Sequence, residues 1–321
     1  MADAIVCEEL TKLYGTRAVV NKLSLRVPEN IVFGFLGPNG AGKSTSMRLL
    51  TGQIKPNSGS ATVAGINVIT DQVQSHRQIG YLSEMPNFYP WMKGRELLEF
   101  VGEVFGMKPA DRRARAKELL KLVGIADAGN RKVGTYSGGM RQRLGIAQAL
   151  VNRPRVIFLD EPVSALDPIG RRDVLTLLSN IRQEATVFMS SHVLADVDRV
   201  CEQVAILDQG KLVIAGDTTQ VKEQYAMPLL EIEVEGGHQA SQKLAENLHT
   251  NGKIKKLIPT ENGRLHIEMV DDAAVRDAGH YLPRVIADLN LTLLSFNAVI
   301  PNLEDVFVKL VGESEAKGGH E

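Results

Sequence analysis

The segment GPNGAGKST at positions 37–45 constrains the fold more than any other part of the chain. It matches the pattern G-x-x-x-x-G-K-[ST], follows the nearly all-apolar run at 31–36, and opens a helix-like run that Gly52 ends. A short apolar run of this kind fits a buried parallel strand that is covered on both faces. The sequence therefore predicts an α/β sheet with a glycine loop between a strand and a helix, and this setting disfavours an ordinary glycine turn.

Glycines in such a loop let backbone N–H groups turn inward around phosphate oxygens, and the start of the helix adds a favourable dipole. We expect Lys43 to neutralise phosphate charge and Ser44 to ligate Mg²⁺. The predicted phosphate-binding residues are Gly37, Pro38, Asn39, Gly40, Ala41, Gly42, Lys43, Ser44 and Thr45.

Two acidic residues follow a second apolar run, VIFLDE at 156–161. Ligands bind at the carboxyl ends of parallel strands, so Asp160 is expected to support Mg²⁺ directly or through water. Adjacent strand residues point to opposite faces, which leaves Glu161 as the best candidate for a general base that polarises an attacking water. His192 ends another apolar run and could contact the γ-phosphate, although a lone histidine is more often structural.

A second possible anion site, Ser137-Gly138-Gly139, precedes a predicted helix at 140–151. Its hydroxyl and backbone N–H groups could hold a phosphate, whereas simple capping of the helix by Ser137 is the commoner explanation of such a sequence. In a two-fold dimer, each chain's glycine pair could cover the phosphate loop of the other chain. ATP would then hold the two subunits together.

Composition excludes several classes of protein. The formal charge of −1 disfavours bulk nucleic-acid binding, and the charged fraction of 23% is ordinary for a globular protein. The distant cysteines Cys7 and Cys201 indicate a reducing compartment without a disulfide framework. The sequence shows no signal peptide and no apolar run long enough for a membrane span, so we expect a cytosolic chain that needs a partner to work at a membrane.

The apolar periodicity divides the chain into a large and a small domain. Apolar residues recur at helical spacing between 94 and 123, which predicts a helical insert in the α/β domain. The basic run DRRARAK at 111–117 is best explained as a solvated helix face. The pattern weakens near 217–228, and the order βαββαβ that follows suggests a ferredoxin-like small domain. A last helix begins after Asn302, which could cap it.

The motifs taken together, over residues 4–216, resemble the nucleotide-binding subunit of an ABC transporter. GPNGAGKS resembles Walker A, YSGGMRQR at 136–143 the ABC signature, and VIFLDEP Walker B with Glu161 as catalytic glutamate. His192 resembles the switch histidine, and Tyr14 stands where this family stacks an aromatic ring on adenine. The segment SALDP resembles the D-loop, whose residues here are Ser164, Ala165, Leu166 and Asp167.

The resemblance implies a P-loop NTPase fold, with a RecA-like core, an antiparallel β subdomain and a helical insert at about 86–150. From the weakening of the pattern near 217–228 and the composition of the tail, we place the ATP-binding domain at 1–220, the small α+β domain at 228–312 and a disordered tail at 313–321. The segment PNLEDVFVKLVG at 301–312 resembles the tail of ATPase subunits of daunorubicin-resistance-type exporters, whose permease is a separate polypeptide.

Three positions depart from the family pattern. Tyr136 replaces the first leucine of the signature and is expected to face packing, and Met140 replaces its glutamine. Glu84 stands where the family has a glutamine that bridges Mg²⁺ and the transmembrane partner. A carboxylate is a hard oxygen ligand that could serve Mg²⁺, while a solvated loop glutamate is the alternative.

The resemblance implies an ATPase, with ATP and Mg²⁺ as ligands, that closes as a homodimer and powers a separate multi-span permease, most simply an exporter, at the cytoplasmic face of the membrane. The permease would dock near Glu84 and the aromatic stretch from Asn87 to Trp91, although core packing explains these aromatics as well. The alternative is a non-transport ATPase of the same superfamily that acts on ribosomes or nucleic acid. A small-molecule kinase would not explain SGG, Glu161 and His192 together.

Overall fold

The computed structural model describes residues 2–164, 166–224, 228–248, 252–260, 263–299 and 302–307. One compact unit ends at Thr218, and a second begins at Thr219. The predicted tail at 313–321 lies outside the described residues, as do Ala165 and the residues of the last predicted helix beyond 307.

A six-stranded sheet forms the centre of the first unit, in the order β10-β9-β3-β8-β7-β6. Strands β9, β3, β8, β7 and β6 pair in parallel, and β10 pairs antiparallel to β9. Every residue of β3 is buried, which confirms the prediction of a covered parallel strand before the glycine loop. The strands are β3 (Val32–Leu36), β6 (Ile79–Leu82), β7 (Val156–Leu159), β8 (Thr186–Ser191), β9 (Gln203–Asp208) and β10 (Lys211–Asp217).

A second, antiparallel sheet of the first unit has the order β2-β1-β4-β5. Its inward-facing residues join the core formed by one face of the parallel sheet, where Ile5 and Leu23 are fully buried with Phe33 and Phe35. The antiparallel subdomain that the sequence implied is therefore present. Its strands are β1 (Asp3–Tyr14), β2 (Arg17–Pro28), β4 (Ser58–Val63) and β5 (Ile66–Asn67).

Helices cover the parallel sheet, and three of them form the predicted insert between β6 and β7. The insert contains α3 (Gly94–Val104), α4 (Pro109–Leu122) and α5 (Gly138–Ala149). Leu97, Leu98 and Leu119 are buried as their spacing predicts, but Val104 is 70% exposed, so the apolar periodicity overestimates the buried face of α3. The remaining helices of the first unit are α1 (Lys43–Leu50), α2 (Gln72–Gln78), α6 (Pro168–Ile181) and α7 (Leu194–Val200). Helix α8 (Thr218–Gln224) begins at the last residue of the first unit and otherwise belongs to the second.

The second unit has the predicted βαββαβ order and an antiparallel sheet in the order β12-β13-β11-β14. This arrangement, in which β13 separates β11 from β12, is the split βαβ topology of a ferredoxin-like fold. The second helix runs through Pro283 without ending there. The side-chain oxygen of Asn302 accepts hydrogen bonds from the N–H groups of Glu304 and Asp305, as the predicted cap requires. The elements are β11 (Leu229–Val234), α9 (Gly237–Asn247), β12 (Ile254–Pro259), β13 (Arg264–Met269), α10 (Asp272–Asp288) and β14 (Leu293–Val299).

Tyr136, at the first position of the signature-like segment, packs into the helical insert. Its side chain is 3% exposed, and its hydroxyl donates a 2.7 Å hydrogen bond to the carbonyl of Ala128. A Cβ atom on Gly94, the first residue of α3, would lie 2.3 Å from this hydroxyl oxygen. The tyrosine at 136 and the glycine at 94 therefore fit each other.

We expect Gly94→Ala to lower the free energy of unfolding by about 1–3 kcal/mol, because the added methyl group overpacks against the fixed Tyr136 hydroxyl. In a Tyr136→Leu background the hydroxyl is gone, so the same substitution should cost markedly less. Urea unfolding followed by the fluorescence of Trp91, the single tryptophan of the chain, measures both costs. An equal cost in the two backgrounds would contradict the fit.

Candidate functional site

The predicted phosphate-binding loop connects β3 to α1 and packs against backbone from both sheets. Gly42 has a φ of 103°, and a Cβ atom there would lie 2.5 Å from the carbonyl oxygen of Val19 on β2. A Cβ atom on Gly37 would lie 2.4 Å from the carbonyl oxygen of Leu207 on β9. Glycine is therefore required at both ends of the loop, by close approach at Gly37 and also by conformation at Gly42.

Lys43 begins α1 and turns its side chain back over the loop. Its Nζ donates to the carbonyl of Gly37 at 2.6 Å and to that of Pro38 at 3.3 Å. Burial lowers the pKa of the Lys43 ammonium from its usual value. Three carboxylates oppose that shift by charge attraction, those of Glu161, Asp160 and Glu84. The loop therefore holds a desolvated cation, which favours an anionic ligand beside it.

Asp160 and Glu161 leave β7 in different environments. β7 ends at Leu159, and Glu161 has a φ of 48°, so the strand alternation that we expected at this pair does not apply. A non-glycine residue in the left-handed region costs on the order of 1–3 kcal/mol and is typical of functional sites. The two carboxylates nevertheless have different partners, since Asp160 accepts from a serine hydroxyl and Glu161 lies beside a lysine and a histidine.

Ser190 of β8, which the sequence analysis did not select, connects the two acidic residues. Its hydroxyl donates to Asp160 Oδ1 at 2.6 Å and accepts from the backbone N–H of Glu161 at 3.0 Å. Ser190 is fully buried. The signal that could have revealed it is the serine pair directly before His192. Ser190 therefore fixes the turn that carries both carboxylates.

A cavity of about 240 Å³ is lined by the predicted phosphate-binding loop and by three predicted site residues from other parts of the chain. Glu84, Glu161 and His192 line it with residues of the loop. Glu161 Oε1 lies 4.0 Å from Lys43 Nζ, and Glu161 Oε2 lies 2.9 Å from His192 Nδ1. The buried glutamate is thus held between a cation and an imidazole at the edge of the loop, where a base for water activation would stand. The loop residues that line the cavity are Asn39, Gly40, Gly42, Lys43, Ser44 and Thr45.

Other predicted residues do not line this cavity. Asp160 is buried, with 5% exposure, and Tyr14 is 52% exposed with Lys12 Nζ 5.6 Å from its ring centre. Ser137 caps α5, because its Oγ accepts a 3.3 Å hydrogen bond from the N–H of Met140. Ser137 and Gly138 are exposed at that helix start, and Gly139 is half-buried. The capping explanation therefore holds within one chain, and the start of α5 is open to solvent.

The D-loop-like segment follows Glu161 and leads into α6. Ser164 Oγ donates to the carbonyl of Glu161 at 3.2 Å, and Asp167 caps α6 by accepting from the N–H of Gly170 at 2.8 Å. A Cβ atom on Gly139 would lie 3.3 Å from Leu166 Cδ2, so this segment packs on the signature-like glycine of the same chain. Ala165 lies outside the described residues.

An ion pair ties the helix after the D-loop-like segment to the helix after His192. Arg171 of α6 donates from Nε to both carboxylate oxygens of Asp196 on α7, at 2.7 and 2.8 Å, and its Nη2 donates to Oδ2 as well. Asp196 is 6% exposed. A buried carboxylate held by several charge-assisted hydrogen bonds is a strong and directional contact.

The aromatic stretch after Glu84 is on the surface. Tyr89 is 50% exposed and Trp91 65% exposed, and their ring centres are 5.1 Å apart. The core-packing explanation is therefore wrong for these two side chains. Met85, at 78% exposure, adds a third exposed apolar side chain. Within the described residues, no helix is both long and apolar enough to cross a membrane.

Comparison with known proteins identifies the family of this chain. The profile of the ABC transporter family matches residues 20–164. The uncharacterized ABC transporter ATP-binding protein YxlF of Bacillus subtilis (strain 168) is 35% identical, over 95% of this chain and 98% of the relative. The bacitracin transport ATP-binding protein BcrA of Bacillus licheniformis is 32% identical, over 97% of this chain and 98% of the relative.

Among solved structures, the post-hydrolysis dimer of the ATP-binding cassette MJ0796, bound to ADP and Pi, matches with a TM-score of 0.61 and 26% identity. The match covers 66% of this chain and 98% of that cassette. The fold, the glycine loop and the relatives agree, and the chain belongs to the ABC transporter ATP-binding proteins, which bind and hydrolyse ATP on a P-loop NTPase fold.

Proposed function

We propose that the protein couples ATP hydrolysis to transport through a separate transmembrane permease, in the direction of export. The observation that carries the proposal is the convergence of Lys43, Glu161 and His192 on one phosphate-sized cavity. Relatives that match nearly the whole chain support the transport role, including one named for bacitracin transport. The full-length match disfavours an ATPase that acts on ribosomes or nucleic acid.

In this proposal Glu161 is the general base. Its carboxylate is buried and lies beside Lys43 and His192, and its backbone is fixed by the Ser190 hydroxyl. Lys43 would exchange the carbonyls of the loop for phosphate oxygens when ATP binds, and His192, which lines the same cavity, would contact the γ-phosphate. Tyr14, exposed at the β1–β2 turn, provides a ring for the adenine.

The residues around the loop fit Mg²⁺. Among the described residues, no cluster of three or more His, Cys, Asp or Glu could hold a metal by itself. The Ser44 hydroxyl and the carboxylates of Asp160 and Glu84 are hard oxygen donors of the kind that Mg²⁺ takes together with substrate phosphates. Bound Mg²⁺ would neutralise phosphate charge during hydrolysis. The buried Ser190–Asp160 hydrogen bond orients the Asp160 carboxylate for this role.

We further propose that the working form is a homodimer with two shared ATP sites. The cavity volume, about 240 Å³, is below the roughly 300–1,000 Å³ typical of pockets that enclose a small molecule, so a nucleotide would extend beyond it. The open start of α5, at Ser137 and Gly138, offers N–H groups and a helix dipole for the uncovered phosphates. The related cassette MJ0796 is dimeric in its post-hydrolysis state, bound to ADP and Pi.

The permease would contact the exposed aromatic stretch. Tyr89 and Trp91 lie with their rings in contact, and Met85 is exposed as well. All three follow closely on Glu84, which lines the ATP cavity. Aromatic side chains and methionine are enriched at protein interfaces. A permease on this surface would sense the nucleotide through Glu84, and it would hold the ATPase at the cytoplasmic face of the membrane.

The first test concerns the general base. Glu161→Gln keeps the shape of the side chain but removes its basicity, so ATP binding should persist while turnover falls by about 10²-fold or more. Release of phosphate and equilibrium binding of ATP measure the two effects separately. The exposed Glu223→Gln on α8 is the matched control and should hydrolyse ATP normally. Normal turnover in Glu161→Gln would overturn the assignment.

The second test concerns sharing of the site between subunits. A mixture of Lys43→Ala and Ser137→Gly chains should regain up to about a quarter of wild-type activity, because half of the random dimers contain one intact shared site. Glycine at 137 removes the hydroxyl but keeps most of the capping stability, which alanine would not. A Lys43→Ala/Ser137→Gly double variant mixed with Lys43→Ala serves as the control and should stay inactive. Activity in the first mixture no higher than the mean of its components would contradict sharing.

The third test separates positioning from stability at the Arg171–Asp196 pair, which we propose holds α7, and with it His192, against the D-loop helix. Removing either charge alone should destabilise the chain. The double variant Arg171→Met/Asp196→Leu should recover much of that stability, since apolar pairs often replace buried ion pairs at little cost. It should still hydrolyse ATP several-fold more slowly, with little change in KM. Wild-type turnover in the double variant would show that the pair is only structural.

A further inference from the structure

A cleft of about 640 Å³ opens on the helical insert, with no lining residue in common with the ATP cavity. Arg95 and Glu99 of α3 line one side, and Arg113, Lys117 and Leu120 of α4 line the other. The turn at Ala126, Gly129 and Asn130 completes the lining. This volume lies within the range typical of small-molecule sites.

The charges of the cleft are unbalanced. Glu99 is the acidic residue in its lining, and it is already paired with Arg95, whose Nε lies 3.4 Å from Glu99 Oε1. Arg113 donates from Nε to the carbonyl of Pro109, which is a neutral partner. The Lys117 side chain, one turn along α4 from Arg113, forms no ion pair or hydrogen bond within the described part of the chain. Like charges at this helical spacing repel each other, and a bound anion would remove that repulsion.

The surrounding segment is basic as well. Between residues 86 and 135 there are ten Lys and Arg against six Asp and Glu, a local excess of four positive charges in a chain whose formal charge is −1. A concave surface inside a field of one sign concentrates ligands of the opposite sign. Two cations of the basic run at 111–117, Arg113 and Lys117, are exposed as predicted and also line this cleft.

We propose that this cleft binds a phosphate group carried by an organic molecule. The guanidinium groups of Arg95 and Arg113 would each present planar N–H donors to phosphate oxygens, and the Lys117 ammonium would add a compact positive charge. The Asn130 amide supplies a neutral donor. Leu120 and Ala126 give the carbon part of the ligand an apolar contact.

The phosphate has two possible sources, a free phosphorylated metabolite and the headgroup of an anionic phospholipid. The turn that completes the cleft continues into a segment that is bonded to the aromatic stretch, since Gly134 N donates to Pro90 O and Val133 N donates to Met92 O. If the aromatic stretch meets a permease, the cleft lies near the membrane surface, where anionic lipids attract Lys and Arg. The lipid source rests on the proposed transport function, whereas the phosphate chemistry does not.

The test uses the full chain without nucleotide. Flotation with phosphatidylcholine vesicles, with and without phosphatidylglycerol, measures headgroup binding, and calorimetry with glycerol 3-phosphate measures binding of the free group. Arg113→Gln/Lys117→Gln should weaken binding by about tenfold or more. The control Lys108→Gln/Lys121→Gln removes the same charge next to and within α4 at exposed positions that do not line the cleft, and it should change binding less than about twofold.

Binding of both glycerol 3-phosphate and phosphatidylglycerol vesicles, lost only in the cleft variant, supports a general phosphate site. Binding of the vesicles alone, with the same variant pattern, supports the lipid headgroup. Equal loss in both double variants means diffuse charge attraction and overturns the site, as does the absence of binding to either probe by the wild-type chain. ATP hydrolysis should stay normal in both variants, which verifies folding and keeps this test separate from the Glu161→Gln test.

Discussion

The close approach of the phosphate loop to backbone from two different sheets is the constraint on which the first unit depends. Gly42 meets the carbonyl of Val19 on the antiparallel sheet, and Gly37 meets that of Leu207 on the parallel sheet. Gly210 strengthens the junction, because its N–H donates to Ala41 O and its carbonyl accepts from Asn21 N. The loop is thus both the predicted ligand site and the junction between the two sheets. A side chain at either contact would separate the two sheets and move the N–H groups away from the phosphates, so stability and binding depend on the same glycines.

The charges around the phosphate loop limit what the site can bind. The buried Lys43 faces more negative than positive charge, because Glu161, Asp160 and Glu84 all act on it. Such a site repels a highly charged nucleotide unless further positive charge is brought in, and three sources are available: Mg²⁺, the N–H groups of the loop and the helix start of a second subunit. In the proposed dimer, the helix start of the second subunit would supply part of this positive charge. ATP binding would then favour pairing of the subunits, and hydrolysis would weaken the pairing by separating the phosphates.

The sequence predicted those features that depend on neighbouring residues. The apolar run at 31–36, the glycine loop and the βαββαβ order of the second unit all follow from local patterns, and the structure contains them. The features that it missed depend on distant residues. Ser190 lies 29 positions from Glu161 yet fixes its backbone N–H, and this turn removes the strand alternation expected there. The sequence predicts that Tyr136 packs inward, as it does, but no local pattern indicates that Gly94 leaves the room for its hydroxyl. Exposure of Tyr89 and Trp91 likewise depends on which neighbours leave them uncovered.

Although the formal charge of the chain is near zero, its negative and positive side chains are concentrated in different regions. This separation suits an ATP site that is built from two subunits. The residues around the phosphate loop are rich in carboxylates, whereas the segment at 86–135, which leads directly into α5, has four excess positive charges. In a dimer of the proposed geometry, the insert of one subunit approaches the nucleotide bound to the other. Its positive field then attracts the phosphates before any N–H contact forms, since fields of this kind act over about a Debye length, ~8–10 Å at physiological salt. In such a dimer, local charge would favour contact between the insert of one subunit and the ATP site of the other over contact between two surfaces of the same charge. The total charge of −1 does not indicate this preference.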